Sequence, residues 1–454
     1  MNMLMDLVTI SLFSYHLQKS KLAILKEPLI LNSKFRNTLE IIENSGDNFF
    51  ITGRAGTGKS TLLRLFKETT KKKIVVLAPT GVAALNVGGQ TIHSFFKLMP
   101  GLLLPSGIHK SRNTKYFKNI DTIIIDEISM VRADLLDNID YSLRLNRNSP
   151  LPFGGVQMIF FGDLFQIPPV VSNNAEKSFI IQNYESPYFF SSNIYKSVNN
   201  FIYIELKEVF RQTDRLFINL LESIRTNEMD WEQLEELNQR FQPDIIDEGN
   251  YITLSSRNSI ANELNNRKLE QIDSPIFLYQ SVVEGEFPSS IFPVDHTLAL
   301  KVGAQVMFQR NDPDRKYVNG TIGTVTYLDD LNIEVEITEN GKSETVDVIS
   351  EIWENKKYKV NQENHEKLDH EIIGRFIQFP LRLAWAITIH KSQGKTFNNV
   401  VIDMGSGAFT HGMAYVALSR CRSLEGIILN TPIKPKDIMV DPTIVDFLDQ
   451  IKRS

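Results

Sequence analysis

The residues Gly53-Arg54-Ala55-Gly56-Thr57-Gly58-Lys59-Ser60 carry the clearest chemistry in the chain. Glycines at this spacing let successive backbone N–H groups close around phosphate oxygens. The run lies between an apolar stretch, Phe49-Phe50-Ile51-Thr52, that reads as a strand and a helical pattern opening at Ser60. A helix N-terminus placed there adds its own N–H groups to the anion site. The expected nucleotide contacts are Gly53, Arg54, Ala55, Gly56, Thr57, Gly58, Lys59, Ser60 and Thr61. Lys59 is expected on the β/γ-phosphates and Ser60 on Mg²⁺, so ATP and Mg²⁺ are the ligands this run predicts.

Phosphoryl transfer needs more than a cradle. Asp126-Glu127 ends the apolar run Thr122-Ile123-Ile124-Ile125. An acidic pair at the end of a buried strand is costly unless it serves a metal or a proton transfer. Asp126 is therefore expected on Mg²⁺ and Glu127 on the attacking water. A helix-capping aspartate is the plainer alternative, and the phosphate loop upstream argues against it. Charge developing on the transferred group also calls for cations. Arg211 in Val209-Phe210-Arg211-Gln212 and Arg420 in Ala417-Leu418-Ser419-Arg420 are the candidates, both expected in the second half of the chain. ATP would then lie in a cleft between two layers, and its hydrolysis would open and close that cleft.

The elements that must position these residues follow from apolar patterning. Phe49–Thr52, Ile74–Ala78, Thr122–Ile125 and Gln157–Phe161 are short apolar runs bounded by Gly and Pro. Such runs suit strands buried on both faces of a mostly parallel sheet, with helices on either side, an α/β architecture. Phe201–Leu206, Tyr251–Leu254, Val400–Met404 and Gly426–Leu429 predict a second layer of the same kind. Residues 301–360 have a different texture, with turn signals at Asn319-Gly320 and Asn340-Gly341. Ile333, Val335 and Ile337 alternate with glutamates there, which predicts a hairpin within a small β-barrel inserted in the second α/β domain. Residues 98–118, rich in Leu, Pro, Gly and Lys, read as a smaller insertion in the first.

Bulk properties bound the reading. The chain has 454 residues, 42% apolar and 23% charged, enough for two or three cores. A net charge of −5 argues against a passive coat on a polyanion, so any nucleic-acid contact must be local. One cysteine, Cys421, excludes an internal disulfide framework and a cysteine-based zinc site, and predicts an intracellular, reducing compartment. No stretch reaches the roughly 18 apolar residues of a membrane span. Residues 1–30 lack the basic start of a secretory signal and read as a packed helix or a loose leader.

Four further motifs carry a resemblance. Ala78-Pro79-Thr80-Gly81-Val82-Ala83-Ala84 with Gly88-Gly89-Gln90-Thr91-Ile92-His93-Ser94-Phe95 is similar to the second motif of superfamily 1 helicases. Phe153-Gly154-Gly155 through Gly162-Asp163-Leu164-Phe165-Gln166-Ile167-Pro168-Pro169-Val170 resembles the third. Trp385-Ala386-Ile387-Thr388-Ile389-His390-Lys391-Ser392-Gln393-Gly394-Lys395-Thr396-Phe397 and Tyr415-Val416-Ala417-Leu418-Ser419-Arg420 resemble the fifth and sixth. Together, from about Leu31 to Thr431, the chain resembles the PIF (petite integration frequency) group of superfamily 1B DNA helicases, related to RecD.

The resemblance implies two RecA-like P-loop domains with parallel sheets, a wedge inserted in the first and an SH3-like barrel in the second. The expected division is a leader at 1–30, a first domain at 31–190 with its wedge at 98–118, a second at 191–300 and 376–454, and the barrel at 301–375. The resemblance assigns Gln166 to coupling nucleotide state to the track, Arg211 and Arg420 to the γ-phosphate, and Gln393 and Gly394 to the nucleotide. It places Thr80, Gly81, His93, Phe95, Thr388, His390 and Lys391 along single-stranded DNA, where hydroxyls and cations meet phosphates and an aromatic stacks on a base. It implies a 5′-to-3′ DNA helicase acting on single-stranded DNA, 5′-tailed duplexes and folded guanine-rich strands, as a monomer, in repair, replication or recombination and telomere maintenance. The absence of a long N-terminal extension points to a bacterial-type cytoplasmic enzyme.

One departure stands out. The family carries a glutamine shortly before the phosphate loop that reads adenine, but here Leu31-Asn32-Ser33-Lys34 is followed by Phe35, so selectivity for the base is expected to be weak. A rival reading stays open, an ATP-gated module that grips or remodels single-stranded nucleic acid, RNA included, without separating strands. A wedge discriminates between the two, because only unwinding needs a pin at the fork.

Overall fold

Burial on both faces organises the first sheet. In the computed structural model, β1 (Asn48–Gly53), β2 (Ile74–Ala78), β3 (Gln90–Thr91), β4 (Thr122–Ile125), β5 (Gln157–Phe161) and β6 (Phe201–Leu206) form one parallel sheet in the order β3-β2-β4-β5-β1-β6. Residues 33–453 are described, apart from 100, 103–104, 112–113, 172, 199–200, 213, 244–250, 313, 315, 340–341 and 361–367. The proposed leader at 1–30 and the Asn340-Gly341 turn lie outside the described residues.

Every residue of β1, β4 and β5 is buried, so their continuous apolar character is what a sheet covered on both faces requires. On one face lie the helices Ser33–Asn44 and Lys59–Thr69, whose Phe35, Leu39, Ile42, Leu62, Leu63 and Phe66 join Ile51, Ile124 and Phe161 in one cluster. Fully burying each such side chain contributes about 1.5–3 kcal/mol. On the other face lies the helix Ala133–Arg147 with Leu136, Ile139 and Leu143 buried.

Phe201–Leu206 corrects the sequence reading. It was assigned to the second layer, yet it pairs along its whole length with β1, from Asn48↔Phe201 to Gly53↔Leu206. Position along the chain does not carry sheet membership, and the mixed exposure of this strand marks it as the edge of the first sheet.

The second layer is a parallel sheet of four strands in the order Ala386–Thr388, Ile252–Ser255, Val400–Asp403, Ile427–Leu429. One core runs from the first sheet into it, joining Phe50, Ile123 and Phe160 to Ile252, Leu254, Ile402 and Leu429. The chain between its first two strands forms antiparallel structure. Five strands order as Lys342–Val348, Ile333–Glu339, Ile322–Leu328, Gln305–Phe308, Leu381–Leu383. Ile333, Val335 and Ile337 face its core, as their alternation with glutamates predicts.

The insertion at 98–118 is packed against the first sheet. Leu98, Ile108, Tyr116 and Phe117 are buried with Phe95 and Phe96. Arg147 ties it down by donating to the carbonyls of Phe117, Ile120 (3.0 Å) and Gly154 (2.7 Å). Among the described residues, no helix is long and apolar enough to cross a membrane.

Candidate functional site

The C-terminal ends of β1, β4, β5 and β6 meet at one crevice, where an open α/β sheet binds its ligand. Arg54–Lys59 follows β1, Asp126-Glu127 follows β4, Gly162–Gln166 follows β5, and Arg211 comes after β6. Ala55, Gly56, Thr57, Gly58, Lys59, Ser60 and Thr61 line a cavity of about 680 Å³ together with Glu127, Gln166, Phe210, Arg211, Gly394 and Arg420.

The loop's shape depends on Gly56, at φ +81°, where a Cβ would come within 2.5 Å of the Arg211 side chain. Thr57 is buried and donates its hydroxyl to the Arg54 carbonyl at 2.9 Å. The Lys59 ammonium curls back to the carbonyls of Gly53 (2.6 Å) and Arg54 (3.0 Å). Burial lowers its pKa, against the pull of Asp163 and Glu127. A lysine held only by neutral carbonyls in a concave loop of N–H groups fits an anionic polyphosphate.

Burial pushes both Asp126 and Glu127 above the ordinary carboxylate range, with Lys59 opposing the shift in each. Glu127 also sits at φ 52°, a left-handed conformation that costs a non-glycine residue about 1 kcal/mol and concentrates at functional sites. Ser60 is exposed at the mouth of the loop. Among the described residues, no cluster of three metal-ligating side chains occurs.

The facing wall is assembled from distant segments. Arg211 was expected in the second half, but it follows β6 of the first sheet and packs on Gly56, with the Phe210 N–H donating to the Gly56 carbonyl at 2.9 Å. Its guanidinium reaches across to the Ser419 carbonyl at 2.9 Å. Burial, and then the neighbouring Arg420, lower its pKa to about 9. Arg420 is only 2% exposed, and its guanidinium donates to Val416 O (3.0 Å) and Ser419 Oγ (2.9 Å). Two cations crowded at a cavity wall favour an anion between them. Gly394 also lines the cavity, while the buried Gln393 Nε2 has no partner among the described residues. Gln166 is buried, with its amide 3.5 Å from Asp163 Oδ2.

The residues expected along DNA fall into two groups, one on each parallel sheet. Thr80 caps the helix Gly81–Asn86 by accepting from Ala83 N–H, and it lines a cleft with His93, Met99 and Arg132. Gly81 abuts Ile291 of the inserted region. Thr388 ends the strand Ala386–Thr388 and His390 and Lys391 follow it, where His390 stacks on Phe409 at 6.3 Å and Lys391 is exposed. Burial lowers the pKa of both His93 and His390. Phe95 departs from expectation. It is 9% exposed, and its ring packs on Phe96, Tyr116 and Phe117, which gives it a core role here. Its apolar neighbours at Ile92 and Phe96 were the signal for a core role.

Sequence reasoning also missed residues. Phe210 is 53% exposed and lines the cavity, with the buried Phe35 set edge-on beneath it at 6.0 Å and 86°. Asp163, Arg225, Gln212 and Tyr415 form buried contacts between the two sheets. Asp163 and Tyr415 lay inside quoted motifs, but nothing local marked their partners.

The profile of the PIF1-like helicases matches residues 31–233, that of the UvrD-like helicase C-terminal domain 383–424, and that of the DNA helicase Pif1 2B domain 286–328. The ATP-dependent DNA helicase Pif1 of Bdellovibrio bacteriovorus is 35% identical, over 90% of this chain and 89% of its own. The Xenopus laevis enzyme of that name is 33% identical over 90% of this chain, which spans 62% of that longer protein. A crystal structure of Bacteroides sp Pif1 with ADP-AlF4 superposes at a TM-score of 0.84 with 37% identity, over 94% of this chain and 98% of that one. Bacteroides Pif1 bound to single-stranded DNA superposes at 0.68 with 38% identity over the same shares. The chain belongs to the PIF1-like helicase family.

Proposed function

We infer that the chain is an ATP-dependent DNA helicase that moves along single-stranded DNA from 5′ to 3′ and separates duplexes carrying a 5′ tail. The observation that carries this is one cleft shared by two parallel sheets: the phosphate loop on one wall, and Arg420 on a segment of the second sheet on the other. Its relatives bear the name ATP-dependent DNA helicase, and a Bacteroides relative has been captured both with ADP-AlF4 and with single-stranded DNA.

In this reading Lys59 leaves the carbonyls of Gly53 and Arg54 for the β/γ-phosphates, and Glu127 orients the attacking water. Mg²⁺ held by Ser60 and Asp126 would screen the phosphate charge. With one protein carboxylate, such an ion takes its remaining ligands from nucleotide and water. Arg211 and Arg420 give up backbone and hydroxyl partners for the charge that develops on the transferred group. Thr80 and His93 ride on the first sheet, and Thr388, His390 and Lys391 on the second. Closing the cleft therefore moves one grip relative to the other along the strand.

The proposed division follows the sheets: a first domain carrying β1–β6, a second carrying the four-stranded sheet, and an SH3-like insertion between its first two strands. The family resemblance supports folded guanine-rich strands as further substrates, a monomer as the working form, and roles in repair, replication or recombination and telomere maintenance. The single buried Cys421 suits an intracellular, reducing compartment.

Two partial duplexes differing only in a 5′ or a 3′ tail test the polarity. Unwinding of the 5′-tailed substrate alone is expected, and unwinding of the 3′-tailed one alone would overturn it. ATP hydrolysis with neither duplex unwound would favour the gripping module.

A further inference from the structure

Tyr415 lies in the short helix Met413–Leu418 that leads to Arg420, yet its side chain is spent on the opposite sheet. The residue is 3% exposed. Its hydroxyl accepts the Ala55 N–H of the phosphate loop at 2.8 Å and donates to Asp163 Oδ2 at 3.2 Å. Asp163 is wholly buried. It also receives the Gln166 amide at 3.5 Å and the Arg225 guanidinium at 3.4 Å. Arg225 in turn lies over the Phe165 ring at 4.2 Å. Burial and Asp163 raise the phenol pKa, so it stays a proton donor to the carboxylate.

The same short segment is held at both ends. Before it, Gly412 sits at φ +71°, where a Cβ would come within 2.4 Å of the Phe165 carbonyl. After it, Arg211 and Gln212 donate to Ser419 O, and Gln212 also to Cys421 O at 2.8 Å. The Arg420 segment is therefore clamped to the first sheet, and one hydroxyl joins the clamp to a backbone N–H of the phosphate loop.

We propose that the Tyr415 hydroxyl is a positioning group for ATP hydrolysis, linking the phosphate loop at Ala55 and Gln166 through Asp163 to the segment that presents Arg420. It touches no substrate. It makes the conformation of the loop and the approach of the arginine one event, because neither side can shift without breaking a buried hydrogen bond. The inference rests on the helicase reading above.

Tyr415→Phe in the full chain tests it, since the ring stays and only the oxygen goes. With single-stranded DNA present, kcat should fall by about 10- to 100-fold, the cost of misplacing a reacting group, while KM for ATP stays within about twofold. Affinity for ADP should hold, and affinity for ADP with aluminium fluoride should fall by a factor like that in kcat. Asp163→Asn, which leaves the Ala55–Tyr415 bond but weakens its link to Gln166, should show the same split. Unchanged kcat in Tyr415→Phe overturns the inference. So do equal losses for ADP and its aluminium fluoride complex in either variant, the mark of a merely structural bond. A wild-type chain that fails to hydrolyse ATP overturns the helicase reading itself.

Discussion

The two walls of the nucleotide cleft are built on different principles. One is nine consecutive residues, Gly53–Thr61, whose shape follows from local backbone freedom and a helix start. The other gathers Phe210, Arg211, Gly394, Thr396, Arg420, Arg422 and Ser423 from three distant segments, held by bonds such as Arg211 to Ser419 O and Gln212 to Cys421 O. The first wall is fixed by neighbouring residues of one segment. The second exists only while the two sheets keep their relation, which makes it the wall that nucleotide can move.

The comparison breaks most completely at Lys59. Lys59→Ala removes the cation of the preformed wall, and DNA-stimulated ATPase should fall by about 10³ or more. Arg420→Ala disables only the assembled wall. Its turnover should fall by about 10³ as well, the lower end for an arginine finger, with nucleotide binding largely kept. Near-full ATPase in the Arg420 variant would remove that residue from its role.

A smaller effect concerns the base. Phe35 stands where the family carries its base-reading glutamine, and it supports the exposed ring of Phe210, which would offer the base an aromatic face rather than a hydrogen-bonding edge. GTP should therefore serve within about a hundredfold of ATP in kcat/KM, as apolar contacts discriminate weakly. A larger gap means another group reads the purine.

The smallest effect sharpens how the second wall is anchored. Lys395, next to Gly394, is buried, and among the described residues its ammonium has only amide oxygens for partners, Asn319 at 2.6 Å and Gln309 at 3.4 Å. Burial, and then Arg382, lower its pKa to about 8. The folded value lies below that of a free lysine, so the unfolded chain holds more protons between about pH 8 and 10. The cost of the buried charge is fully present below pH 8, and stability rises with pH above it. In urea unfolding, wild type should gain about 2 kcal/mol more than Lys395→Met between pH 7.5 and 9.5; parallel curves would show that Lys395 is not strained.

Legibility followed the same divide. The loop, the acidic pair after β4 and the alternation at Ile333, Val335 and Ile337 were readable because each is a local pattern with a local cause. Membership of β6 in the first sheet was not, because an edge strand looks alike wherever it docks. The burial of Phe95 was hidden for a related reason: an aromatic beside a nucleic-acid motif and an aromatic in a core have the same letter, and only the packing of Tyr116 and Phe117 tells them apart. Asp163, Arg225 and Tyr415 depend on partners from opposite ends of the chain, which no window of sequence contains.

The placement of the antiparallel insertion has a consequence for synthesis. Ile252–Ser255 is the strand that the second parallel sheet must flank on both sides, yet its neighbours begin at Ala386 and Val400. At about 5–20 residues per second, a ribosome leaves that apolar strand without either neighbour for roughly 7–27 s. The first sheet is complete by Leu206 and can fold meanwhile. The nascent chain thus passes through a stage with one finished layer and one exposed strand awaiting both partners, and that is when a chaperone would find it.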